Sequence, residues 1–163
     1  MTEVIQLTAD EWHRQQAIEL FNFTWTLIEK PNRTPDEDNL MIHAAHASRF
    51  HWGMVGDVVN FVRGNWQIAH VYTLLDHAHS ALYHAQCCLD QCESEQIGDF
   101  DLAYAYEAMA RAQACAGQRT EAQHFYQLAV EAGNKINDAD DRAQFRRDLA
   151  AGPWFGLEQA AHD

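Results

Sequence analysis

The residues of this chain whose types and spacing could do chemistry are histidines and cysteines. His43 and His46 lie three apart and His51 follows five further on. On a helix the first two imidazoles share a face, and neutral imidazole nitrogens are good zinc ligands. No carboxylate or thiol completes the set locally, so a third ligand would have to come from another helix, with His70 as the candidate. His84, Cys88 and Cys92 recur at four-residue steps and form one helical stripe with the donor atoms of a zinc site. Small polarizable side chains at that spacing also pack cores, and packing is the expectation here. Glu121 and His124 have the spacing used by di-iron bundles, which need a second copy and two more inward glutamates. The residues 41 positions earlier are Ser80 and Tyr83, so the second copy is missing. The expectation is therefore no metal and no cofactor, with the histidines in ordinary interhelix hydrogen bonds.

Motifs for nucleophilic serine catalysis (G-x-S-x-G), phosphate cradling (G-x-x-x-x-G-K) and dinucleotide binding (G-x-G-x-x-G) are absent. The reading leans away from an enzyme and leaves open a catalytic site assembled from dispersed residues.

Composition limits the elements that could position these side chains. The 163 residues fit one domain, 47% of them are apolar, and three prolines with eight glycines are too few for a many-turned β fold. The net charge is −13, and from Gly64 to Ala110 seven carboxylates occur without a single Lys or Arg. Such a stretch repels a phosphate backbone and excludes nucleic acid as the expected partner. No basic-then-apolar leader occupies the first ten residues and no long apolar run occurs, so no membrane span is expected. Three of the four cysteines (Cys87, Cys88, Cys92; the other is Cys115) fall within six residues, which suits reduced thiols in the cytoplasm better than disulfides.

The helical period predicts seven helices, over about 9–29, 36–52, 57–75, 80–96, 99–116, 120–136 and 138–150. Pro31 and Pro35 bracket the clearest linker, Gly53 and Gly56 end the second helix, Gly98-Asp99 caps the fifth and Gly117 closes it, and Thr120 caps the sixth. The fifth helix has almost no polar face, so it must be surrounded by neighbours. Trp154, Phe155 and Leu157 in the tail are expected to dock.

An offset of 41 residues lays the third and fourth helices on the fifth and sixth: Ile68-Ala69 falls on Met109-Ala110, Asp76 on Gly117, Ala81 on Ala122, Cys88-Leu89 on Ala129-Val130. Ala110, Gly117, Ala122, Tyr126 and Ala129 follow the small, glycine, alanine, aromatic, alanine pattern of the tetratricopeptide repeat. The segment 62–136 thus resembles that family in its extended-repeat form, although Gln113 replaces an aromatic and Asn134 the terminal proline. The resemblance implies an all-α antiparallel array of helix hairpins: a divergent first pair over 9–53, repeats over 57–96 and 99–136, and a capping helix with tail over 138–163.

The family binds peptides along a concave groove lined by the first helix of each pair. Carried over by position, that face comprises Arg63, Trp66, His70 and Thr73 from one repeat and Tyr104, Glu107 and Arg111 from the next. The expected function is a non-enzymatic interaction or scaffold module that takes a protein or peptide segment with basic flanks. The alternatives are a small-ligand or metal-binding protein using His43, His46 and His51, and a structural subunit of a homo-oligomer such as a homodimer.

Overall fold

The computed structural model describes residues 6–157. The expectations for the first five residues and for the tail beyond Leu157 lie outside the described residues. Among the described residues every regular element is an α-helix: α1 (Ala9–Ile28), α2 (Pro35–Val55), α3 (Val58–Leu74), α4 (Ala78–Ser94), α5 (Asp99–Cys115), α6 (Arg119–Asn134) and α7 (Ala139–Ala150). None is long and apolar enough to cross a membrane.

Local chemistry explains the boundaries. Thr8 and Thr34 each accept the N–H of a glutamate three residues on, Glu11 and Glu37, whose carboxylates return to the threonine N–H and complete two capping boxes. Asp57 and Asp138 cap α3 and α7 in the same spirit. The hairpin turns need left-handed backbone, and Asp76 (φ 59°) and Gly117 (φ 73°) supply it at positions related by the 41-residue offset. In each turn the next N–H reaches back five residues, His77 to the Tyr72 carbonyl and Gln118 to the Gln113 carbonyl, both at 2.9 Å.

Two expected helix ends differ. Gly53 lies inside α2, which runs on to Val55 with Gly56 as its cap. Thr120 sits within α6, whose cap position is Gln118 without a side-chain bond, whereas Gly98 stands at the expected cap of α5, with no side-chain bond. The Asp99 carboxylate is used elsewhere: it accepts from the N–H of Asn137 at 2.9 Å and ties the start of α5 to the loop before α7.

The helices pack as neighbouring pairs, α1 with α2, α3 with α4 and α5 with α6, and each pair packs on the next. The array is compatible with a helical-repeat fold. Helix α5 lies innermost, against α3, α4, α6 and α7, which is where its apolar girth belongs. Ala103, Ala105, Ala110 and Ala112 are wholly buried on it and let the axes approach closely. Helix α7 docks through Phe145 and Leu149, and the Phe145 ring fills the space a Cβ on Gly133 would take, 2.3 Å from that position. Trp154 in the tail packs on Tyr126 and donates to the Leu149 carbonyl at 3.1 Å. Helix α3 touches both α1 and α5 along one side of the array, and these three helices with α7 build the site.

Candidate functional site

The period of 3.6 places Arg63, Trp66 and His70 on one face of α3, and Phe100, Tyr104, Glu107 and Arg111 on the matching face of α5. These faces converge on a pocket of about 550 Å³, whose remaining wall comes from Phe21, Trp25 and Glu29 at the end of α1 and from Asp148 and the 151–152 backbone beyond α7. Six of the seven residues named by position thus line one cavity. Thr73 does not. It is 1% exposed at the far end of α3, and its hydroxyl donates to the Ala69 carbonyl one turn back.

The wall is held by a continuous hydrogen-bond network. The Trp66 indole donates to Glu107 at 2.9 Å, and the other oxygen of that carboxylate accepts from the Arg111 guanidinium. Both charged side chains are almost fully buried, at 1% and 2% exposure. Arg111 uses its remaining donors on the carbonyls of Asp148 (2.6 Å), Ala151 (2.8 Å) and Pro153 (3.3 Å), and its guanidinium lies 4.2 Å from the centre of the Trp154 ring. The Tyr104 hydroxyl donates to Asp148 at 2.5 Å, and burial together with that carboxylate pushes the phenol's pKa far upward. Arg63, at the rim, holds Asp101 through two donors at 2.8 and 3.2 Å. That bond is the main reason its pKa is raised further.

His70 is different. Its ring stacks on Trp66 (centroids 5.1 Å, 10° between planes) and leans on Trp25, lining the pocket with no hydrogen bond to either nitrogen among the described residues, and Nδ1 is shielded from solvent. Burial pushes its pKa down to about 4, so the imidazole is neutral at pH 7.

The metal candidates are not brought together. His46 reaches the Tyr72 hydroxyl at 3.0 Å and packs on His84. His51 pairs with His13 of α1 at 2.8 Å, and His43 is exposed. Their helical spacing points His46 and His51 into different interhelix seams and His43 outward. Cys88 and Cys92 are core residues beside Ala85 and Leu89, and His84 turns toward Asn65 at 3.3 Å. Among the described residues no three His, Cys, Asp or Glu side chains are placed to share a metal ion.

Several pocket residues were not singled out as site residues from the sequence. Asp101 and Phe100 precede Tyr104 by one turn and share its face, a signal the helical period contains. Trp25 and Phe21 read as core of α1, and nothing in the sequence announces that Asp148 and the 151–153 backbone fold back onto Arg111. Comparison with protein-family models, with curated proteins and with solved structures finds no match.

Proposed function

We propose that the chain is a non-enzymatic interaction module of the tetratricopeptide kind, whose pocket receives a group projected by a protein partner. The observation carrying this reading is the convergence of α1, α3, α5 and α7 on one aromatic-walled cavity of about 550 Å³, with Trp25, Trp66, Phe100 and Tyr104 as rigid contact surface. The polar groups argue against chemistry. Glu107, Arg111, Tyr104 and Asp148 satisfy one another and stiffen a wall, while His70, with a pKa of about 4, is a weak base at neutral pH. The 151–153 segment, fastened by Arg111, closes the cavity at the α7 end. This closure favours a single inserted group over an extended peptide. It also favours, as the second reading, a free small molecule of matching size.

Affinity capture with the wild type and a Trp25→Ala, Trp66→Phe double variant tests the proposal, with circular dichroism confirming that the variant is folded. A partner held by the wild type and released by the variant is expected. Identical partners on both proteins contradict it. Native mass spectrometry of the purified protein, showing a bound small molecule lost in the same variant, would favour the second reading.

A further inference from the structure

The pocket's charges identify the class of guest. Four carboxylates line it (Glu29, Asp101, Glu107, Asp148) against two guanidiniums (Arg63, Arg111), and the imidazole of His70 is uncharged at pH 7. Neither arginine is a ready receptor for an incoming anion. Arg111 is enclosed by Glu107 and three carbonyls, and Arg63 is matched by Asp101 beneath it. Among the described residues, two carboxylates are left without a cation of their own. The Asp148 carboxylate accepts from two neutral donors, the Tyr104 hydroxyl and the Gln144 amide, and Glu29 stands exposed at the rim with no ion pair among the described residues.

The remaining wall adds to this bias. Phe21, Trp25, Trp66, Phe100 and Tyr104 contribute aromatic rings, whose faces carry negative potential and attract organic cations. The unbonded imidazole of His70 offers a neutral acceptor to an N–H donor. A carboxylate guest would meet repulsion and no free donor fork. An aliphatic alcohol would leave the excess charge unanswered.

We propose that the pocket selects an organic cation, an alkylammonium or alkylguanidinium group such as the end of a lysine or arginine side chain. This rests on the pocket reading above and specifies its occupant. Aromatic rings and carboxylates hold the charged head, and the apolar lining covers the alkyl stem.

Calorimetric titration at low ionic strength with n-butylammonium, n-butylguanidinium, n-butanol and butyrate tests it. At least one cation is expected to bind about tenfold or more tightly than the alcohol and the carboxylate, with the preference shrinking at high salt. Glu29→Gln, a surface change that leaves the core intact, should weaken the cations and spare butanol, and Glu29→Lys should weaken them further. A lysine-containing tripeptide with blocked ends, compared with its acetyl-lysine form, distinguishes a side chain from a free amine. Tighter binding of the peptide than of butylammonium supports a protein source, and the reverse supports a free amine. Equal binding of butanol and the cations, abolished by Trp25→Ala, would overturn the charge selection and leave the pocket reading intact. No binding of any probe or peptide would overturn both.

Discussion

The indole N–H of Trp66 donates to Glu107 at 2.9 Å, and the two residues stand 41 positions apart, at the same place in successive helical pairs. Arg63 and Tyr104 are related in the same way, as are His70 and Arg111. Trp66 and Glu107 carry complementary groups at corresponding places on α3 and α5: an aromatic donor meets a carboxylate, and that carboxylate meets a guanidinium one turn along. The different side chains at these corresponding positions make the pocket asymmetric.

Removing Glu107 leaves the Arg111 guanidinium buried without its counter-charge. Glu107→Ala is expected to cost about 3 kcal/mol or more, seen as a fall in Tm of roughly 6 °C or more for a chain of this size. A Glu107→Leu, Arg111→Met double variant should lose much less than the two single changes summed, because no orphaned charge remains. Additive losses would show that the pair is not coupled as the geometry indicates.

Gly133 is the place where α6 admits α7. A methyl group there would sit 2.3 Å from the Phe145 ring, which is enclosed in the core and 1% exposed. Gly133→Ala should cost about 1–3 kcal/mol through overpacking, despite alanine's better helix propensity. Hydrogen exchange should speed up over 139–150 before it does elsewhere. Unchanged protection in α7 would place the strain somewhere else.

Stability should fall on mild acidification. Burial holds both His70 and His84 down to about 4 from an ordinary 6.5, and the neighbouring His46 and Arg49 add to the effect at His84. The unfolded chain therefore binds more protons than the folded one between those values. Their contribution is complete above pH 6.5 and is lost progressively as the pH falls toward 4, on the order of 2 kcal/mol for each ring. Thermal unfolding at pH 7.5 and at pH 5 checks this, and His70→Gln should reduce the difference. A Tm equal at the two values contradicts it.

The thiols should react unequally. Cys88 and Cys92 are buried, and burial beside Asp76 pushes the Cys115 thiol up to about 11. At pH 8 only about a thousandth of Cys115 is thiolate. A thiol reagent should label half-buried Cys87 first and the other three far more slowly in the folded protein. Peptide mapping that finds Cys115 modified first would contradict the described environment.

Much of this arrangement is legible in the sequence because it is periodic. The alanine-rich girth of α5 requires an inner position, and the 3.6-residue rhythm places Arg63, Trp66 and His70 together and Tyr104, Glu107 and Arg111 together. What periodicity cannot show is where long side chains end. Arg111 reads as a donor available to a partner, whereas it is enclosed by Glu107 and the 151–153 backbone. His43, His46 and His51 read as neighbours, whereas tertiary packing sends His46 and His51 to different seams and leaves His43 exposed. Asp148 lies on a short polar helix whose docking depends on Phe145 meeting Gly133, a contact between distant segments with no local signature.

The most direct test of the pocket is the set of five tryptophan indole resonances in a proton–nitrogen NMR spectrum during titration with n-butylammonium and with the lysine tripeptide. The expected result is a saturable shift of the Trp25 and Trp66 signals while Trp12 and Trp52, outside the pocket lining, stay in place. Shifts confined to Trp12 and Trp52, or none at saturating concentrations of both probes, would contradict the assignment of this cavity as the binding site.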